Sequence, residues 1–479
     1  MNFSMVFSIL STVFLFESFF MALPCIVSLV YGERVGIAYL IVSIICLLIG
    51  LMLKRIKPKT KVIYAKEGFV TVSLSWILMS AMGAFPFVVS GEIKSYTDAL
   101  FETISGFTTT GATILTDVEI LSKTSLFWRS FTHWIGGMGV LVFLLAVMPL
   151  SGVHSFHLMR SESPGPSVGK LAPKVRSTAL ILYGIYIALS ALNFIFLVLG
   201  DMTVYEALVT VFATAGTGGF GIYNDSVASF SPYVQWVTTI FMFIYGVNFN
   251  FYYLMLIRKP LQAVKITELR YYVFAFLAAT LLIFLNINGK FGSGLESLRH
   301  SAFSVASIMT TTGFATTDFN LWPEFSKGLL VVLMFMGACA GSTGGGMKVS
   351  RFVIMAKTVR KELFHLLHPS SIKIIKVDGK SIEHDVIRSV NIFLISYMAI
   401  MFFSFLIVSL DNFSFTTNLT AVITTLNNVG PGLDMVGPTG NFSEFSNLSK
   451  YVFMFNMLAG RLEIFPMLLI FVPHTWKRQ

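Results

Sequence analysis

The chain has 479 residues, of which 55% are hydrophobic and only 12% charged, with a mean hydropathy of +0.77, whereas soluble domains carry roughly 25% charged residues. This excludes a water-soluble globule, and with it the nucleic-acid partner that a formal net charge of +10 would otherwise suggest. In a membrane protein an excess of Lys and Arg marks the cytoplasmic loops, and Cys25, Cys46 and Cys339, each in an apolar stretch, make neither a disulfide framework nor a zinc site.

In chain order, residues 1–31 are the first run that exceeds the roughly 20 apolar residues a spanning helix needs, with a single charge, Glu17. No basic region or small-residue cleavage site precedes the break expected at Pro24, so the run reads as an anchor and not a signal peptide. A second run, 35–53, ends in Lys54, Arg55, Lys57, Lys59, Lys61 and Lys66 against one acid, Glu67. By the positive-inside rule that cluster is cytoplasmic, which places the N-terminus inside and the short turn at 31–34 outside. From Gly68 onward apolar runs come in pairs. Basic connections at 160–176, 258–270 and 348–388 alternate with stretches at 91–124, 201–235, 288–327 and 411–450 that together hold more acids than bases, among them Glu92, Asp98, Glu102, Glu206 and Asp225. The pattern predicts an all-α integral membrane protein with ten spans, both termini inside, and four special segments that enter from the outer side without crossing.

Those four segments align with one another. They read YTDALFETISGFTTTGAT (96–113), VYEALVTVFATAGTGGFG (204–221), RHSAFSVASIMTTTGFAT (299–316) and FTTNLTAVITTLNNVGPG (415–432), with Gly111, Gly219, Gly313 and Gly430 in register. About a dozen residues of helical periodicity precede each glycine, too few to cross a bilayer and suited to a re-entrant half-helix. Non-helical backbone at membrane depth is tolerated only where protein or water surrounds it, a condition that four segments lining one pore would meet. Glycine opens dihedrals closed to other residues, so each short segment can aim carbonyl oxygens at the axis and replace the hydration shell of a desolvated cation. The half-helix adds its negative C-terminal end, which favours a cation over an anion. The candidate filter residues are Thr109, Thr110 and Gly111; Thr217, Gly218 and Gly219; Thr311, Thr312 and Gly313; and Asn428, Val429 and Gly430. Only repeats one and three carry a full threonine run, so discrimination against sodium is expected to be looser than in a filter of four identical loops.

These motifs, together with GGMGVLVF (136–143), AGSTGGGMKVSR (340–351) and GRLEI (460–464), resemble the potassium-uptake transmembrane subunits of the Trk, Ktr and HKT superfamily, most closely the bacterial Trk type. The resemblance covers nearly the whole chain. It implies two extra N-terminal spans followed by four units of span, pore helix and span, giving the divisions 1–66, 67–160, 161–260, 261–375 and 376–479. It further implies potassium as the transported ion, an inner-membrane location, a homodimer, and a soluble regulatory ring of the Trk A type that carries NAD or ATP. That ring would dock on residues 348–388, which otherwise read as an ordinary basic loop with nine Lys or Arg against four acids. No nucleotide motif and no covalent cofactor site is present in this chain. GSTGGGMK lacks the Gly-Lys-Ser/Thr ending of a phosphate-binding loop and follows no strand.

The second span of repeat three contains Gly341, Ser342, Thr343, Gly344, Gly345 and Gly346, followed by Lys348. Each glycine costs a helix about 1 kcal/mol relative to alanine, so a loop is expected within the membrane below the filter, acting as a gate or, more simply, as a packing kink. Arg461 and Glu463 lie in the last span, where ionisable residues are functional candidates. Arg461 would raise the barrier to a cation and resembles the arginine the family places beside the intramembrane loop; Glu463 can also simply satisfy Lys348 or Arg351.

An enzyme reading has little support. Residues 340–344 lack the first glycine of a G-x-S-x-G elbow, no H-E-x-x-H pattern occurs, and the eight histidines fall mostly at expected span ends or loops, in solvated interfacial positions. A proton- or sodium-coupled secondary transporter is the rival, since such proteins also use repeats and broken helices. Asp98 and Glu206, each thirteen residues before its glycine, would be its coupling acids.

Overall fold

A computed structural model of the chain describes residues 1–56, 65–137, 139, 175–371 and 374–477. Part of the first basic cluster, the latter half of GGMGVLVF and nearly all of the 160–176 connection fall outside these residues. The protein is mostly helical. Among the described residues six helices are long and apolar enough to cross a membrane, or seven if one pair bent by 88° counts as a single span.

Helices α1 (Phe3–Tyr31) and α2 (Gly36–Lys54) form an antiparallel hairpin. Asn2 caps α1 by accepting the Met5 amide, and Gly32 ends it in a left-handed conformation, φ 68°. Gly36 and Gly50 let the two helices approach closely: a β-carbon at Gly50 would lie 2.9 Å from the Leu15 side chain. The break expected at Pro24 does not occur, since α1 passes through it. A proline inside a buried helix is tolerated where neighbouring groups take up the freed carbonyl.

The remaining helices follow a repeating order. A long helix leads into a short one that ends three or four residues before the registered glycine, and a further helix follows. In repeat one these are α3 (Ala65–Ser90), α4 (Tyr96–Phe107) and α5 (Lys123–Gly137). In repeat two they are α6 (Val175–Val198), α7 (Val204–Ala215) and α8 (Pro232–Tyr245), continued after the bend by α9 (Phe249–Leu256), with α10 (Pro260–Val264) in the following connection. In repeat three they are α11 (Thr267–Ile287), α12 (Gly294–Met309) and α13 (Glu324–Met336), continued after the glycine loop by α14 (Val349–Leu367). A hairpin of β1 (Lys376–Val377) and β2 (Lys380–Ser381) precedes repeat four, with Lys376 opposite Ser381 and an Asp-Gly turn of the type that favours hairpins. Repeat four is α15 (His384–Val408), α16 (Phe415–Asn427) and α17 (Asn447–Arg461), then α18 (Phe465–Ile470) and α19 (Pro473–Trp476).

The sequence predicted an interruption in the second span of repeat three alone. Breaks also occur at 246–248 in repeat two and at 462–464 in repeat four. Helices α5, α8, α13 and α17 have 15, 14, 13 and 15 residues, about 20–23 Å at 1.5 Å per residue and short of a 30 Å hydrocarbon core. The α1–α2 hairpin packs against repeat one, and one continuous apolar core joins it to repeat four, with Phe20 edge-on to Phe131 at 5.7 Å.

Candidate ion-conduction site

The four short helices end in the same way. The amides of Thr110, Gly218, Thr312 and Val429 donate to carbonyls five residues back, those of Ser105, Ala213, Ser307 and Thr424, at 2.8–2.9 Å. The preceding amides, of Thr109, Thr217, Thr311 and Asn428, donate three residues back. This is the Schellman termination, which needs a left-handed residue at the position usually given to glycine. Thr109, Thr217, Thr311 and Asn428 fill it at φ 54°, 54°, 60° and 57°. A β-branched residue held there stores about 1–3 kcal/mol of strain, a cost found where surrounding structure imposes a functional geometry.

The glycines that follow are left-handed as well, with φ 78°, 79°, 80° and 99° at Gly111, Gly219, Gly313 and Gly430. Backbone that alternates in hand sends its amides to one side and its carbonyls to the other. Since the amides turn back into the half-helices, the carbonyls face away from them. Their position closes a ring. A β-carbon on Gly111 would strike the Gly218 carbonyl oxygen, on Gly219 that of Thr312, on Gly313 that of Val429, and on Gly430 that of Thr110. Each repeat therefore touches the next, and the fourth returns to the first. All four glycines line one cavity of about 110 Å³ that opens between the segments following them.

Side chains fix the ring from behind. Thr108 bonds Thr110 at 2.8 Å and Thr310 bonds Thr312 at 2.7 Å, hydroxyl to hydroxyl. Repeat four substitutes Asn428, whose amide donates to the Thr110 hydroxyl and to the Met457 carbonyl, both at 2.9 Å.

Beneath the ring lies the loop between α13 and α14. Gly337, Gly341 and Gly346 take positive φ. The Gly345 amide donates to the Thr311 hydroxyl at 2.6 Å, and the Thr343 hydroxyl to the Tyr245 carbonyl at 3.3 Å. β-carbons at Gly344 and Gly345 would lie 2.9 Å from the Thr310 carbonyl oxygen and 2.6 Å from that of Asn427. The glycines thus let the loop press directly against the underside of the half-helix ends. The Ser342 hydroxyl donates to the Cys339 carbonyl at 2.6 Å, and Lys348 is buried with its ammonium on the Gly344 carbonyl.

Arg461, the last residue of α17, reaches all of these parts. Its guanidinium donates to the Thr109 hydroxyl at 3.1 Å, the Thr343 carbonyl at 2.9 Å, the Gly137 carbonyl at 3.0 Å and the Gly136 carbonyl. The neighbouring Glu463 pairs with Arg351. Glu463 and Ile464 are both left-handed, at φ 58° and 69°, so strain recurs where α17 breaks.

Comparison with known proteins is consistent with this geometry. The TrkH family, described as cation transport proteins, matches residues 36–478. The Trk system potassium uptake protein TrkH of Escherichia coli K12 is 34% identical over 468 residues, covering 95% of this chain and 96% of its own. The TrkH of Halomonas elongata is 31% identical over 485 residues, covering 100% of both. This chain belongs to the TrkH family. The crystal structure of the potassium transporter TrkH from Vibrio parahaemolyticus is similar across 100% of both chains, with a TM-score of 0.89 and 31% identity. The TrkH family is one of transporters, and the chain is not an enzyme.

Several residues of this TrkH-family chain lie elsewhere than the sequence suggested. His133 is not interfacial: it is fully buried behind repeat two. Its Nδ1 bonds the Gly106 carbonyl at 2.7 Å and its Nε2 accepts the Phe220 amide at 3.3 Å, a pairing that only the neutral ring with a proton on Nδ1 satisfies. Its ring occupies the space where a side chain at 218 would stand, and its backbone carbonyl the space at 216, which explains why repeat two has glycine at both. His300 is also buried, bonded to Thr316 at 2.9 Å. Glu102, counted among the outer acids, is buried in a 2.7 Å ion pair with Arg129 and accepts the Ile114 amide at 3.1 Å. Arg129 in turn donates to the Gly221 carbonyl at 3.2 Å, tying the segments after two of the glycines together. Arg129 gave no sequence signal beyond being a lone charge in an apolar run.

Asp98 and Glu206 both belong to helix starts. Asp98 pairs with Lys450 at 2.7 Å. Glu206 completes a capping box with Thr203 and accepts the Tyr223 hydroxyl at 2.6 Å. Burial works against its ionisation, but the bonds from Tyr223 and Thr203 and the charge of Lys123 outweigh this and hold the carboxyl below its ordinary range.

Proposed function

We propose that this protein is the membrane subunit of a potassium-uptake system of the inner membrane. Potassium passes along the axis of the four glycine segments, where carbonyls of residues 109–111, 217–219, 311–313 and 428–430 replace its water. The observation that carries this reading is the closed ring, in which each glycine is packed against the carbonyl of the next repeat. Only a path shared by all four segments gives such cyclic contact a purpose, and carbonyls with the C-terminal ends of four half-helices suit a desolvated cation. The loop 341–346, Lys348 and Arg461 form the gate below, because Arg461 bonds the loop and the Thr109 segment together. Ten spans in four repeats after an N-terminal pair, termini on the cytoplasmic side, a homodimer and control by a nucleotide-binding ring on the basic 348–388 face complete the proposal.

The coupled-carrier alternative draws no support from its candidate acids, since Asp98 and Glu206 are engaged in an ion pair and a helix cap. Recording from the purified full-length protein in planar bilayers tests the choice. Discrete current steps at rates far above carrier turnover are expected in potassium solutions. Slow uptake strictly linked to a proton or sodium gradient would overturn the channel-like reading.

A further inference from the structure

Outside the ring and the Arg461 contacts, one buried carboxylate touches both ends of the intramembrane loop. Glu268 is the second residue of α11 and is 7% exposed. Its Oε1 accepts the Ala340 amide at 2.7 Å and the Ser350 amide at 3.0 Å. Ser350 lies in the first turn of α14, where the cap position is occupied by Lys348 and makes no side-chain cap bond. A lysine has no acceptor for the free amides of a helix start. Glu268 supplies that acceptor from another helix, and the same oxygen anchors the loop at its other end.

The residue before it is tied to the β-hairpin. The Thr267 amide donates to Asp378 Oδ1 at 2.7 Å, and the Asp378 amide donates to the Thr267 hydroxyl at 3.2 Å. Asp378 is exposed at the hairpin turn, left-handed together with Gly379. From the other side Lys357 of α14 donates to the Lys376 carbonyl at 2.8 Å. Two adjacent residues at the start of α11 therefore connect an exposed turn to the loop under the ring.

We propose that Glu268 is a positioning residue that latches the intramembrane loop against the half-helix ends, and that the hairpin tip at Asp378, through Thr267, holds this latch in place. The proposal deepens the gate reading given above and rests on it for its consequence in transport. Its physical basis is that both bonds share one carboxyl oxygen, so a small displacement of the first turn of α11 weakens both together. A partner that grips the exposed hairpin can apply such a displacement without touching the membrane interior.

Cys339, buried within the loop, is the reporter. With Cys25 and Cys46 replaced by alanine, the full-length protein in vesicles is treated with a small water-soluble maleimide, and the labelling rate of Cys339 is read by mass spectrometry. Asp378→Ala is expected to label about tenfold faster than the parent, the effect of losing one hydrogen bond to a carboxylate, and Glu268→Ala, which removes two, at least as fast. Glu268→Gln, which keeps an acceptor oxygen, is expected to restore most of the protection. Potassium flux is measured on the same vesicles. Faster labelling with raised flux supports both latch and gate; faster labelling with parental flux keeps the latch and removes the gate assignment. A parental labelling rate in either alanine variant overturns the proposal. Should Glu268→Ala fail to fold, the exposed Asp378→Ala carries the test alone.

Discussion

Replacing the ring glycines one at a time tests the carbonyl path with an internal ranking. At Gly219 an added β-carbon falls on the Thr312 carbonyl oxygen, with the carbonyl carbons of Thr312 and Gly313 at 2.9 and 3.1 Å. Backbone atoms cannot rotate away as a flexible side chain would. The left-handed conformation costs an ordinary residue about 1–2 kcal/mol, and the overlap adds about 1–3 kcal/mol. If half of that total is relieved by shifting the Thr312 carbonyl, the lost coordination lowers the potassium over sodium preference by about tenfold. At Gly430 the nearest atom, the Thr110 carbonyl oxygen, is 2.7 Å away, so alanine there is tolerated better. Purified variants in potassium- or sodium-loaded vesicles, with melting temperatures recorded in parallel, give the comparison. Gly111→Ala, Gly219→Ala and Gly313→Ser are expected to lose selectivity more than Gly430→Ala. A folded Gly313→Ser protein with its potassium preference intact would refute the reasoning for that repeat, and equal losses at Gly219 and Gly430 would refute the ranking.

Other perturbations address the parts around the ring. Arg461→Gln removes a fixed charge and the fork that bonds loop to ring; flux is expected to rise about tenfold, as for ~1.4 kcal/mol off a barrier, and unchanged conductance would remove Arg461 from the gate. Glu102→Ala leaves Arg129 buried without its carboxylate, a loss of about 3–5 kcal/mol that should appear as a clear drop in melting temperature, while Asp117→Ala at the surface should leave it near the parent. The Ser414 and Thr417 hydroxyls hold the Asp434 carboxyl below its ordinary range. A depressed folded-state value stabilises the protein above the unfolded value near 4 and is lost only as pH falls through the lower one. Melting temperature should therefore not respond to this group between pH 7 and 5, and Asp434→Asn should differ from the parent less at pH 3 than at pH 6, by no more than about 1 kcal/mol for so exposed a group.

Much of the ring was legible in the sequence because its requirement is local. A glycine in a left-handed turn after a dozen helical residues leaves the same trace four times, so Gly111, Gly219, Gly313 and Gly430 could be aligned without coordinates. The glycine-rich break before Lys348 was legible for the same reason, through helix propensity. The breaks at 246–248 and 462–464 were not, because neither contains a run of glycines. The second depends on left-handed Glu463 and Ile464, held by the surrounding structure against their own preference. His133, Arg129 and Glu268 carried no motif at all.

The sequence by itself determined that the chain lies in a membrane and that four of its segments align on a glycine, since composition and periodicity act through solvent and backbone alone. Only the tertiary structure decided that the glycine of each repeat meets the carbonyl of the next, that Arg461 joins loop to ring, and that Glu102 is an interior ion-pair partner and not a surface acid. Those pairings join residues far apart in sequence, such as Thr109 and Arg461 or Gly430 and Thr110. Their geometry exists only once four half-helices have packed around one axis.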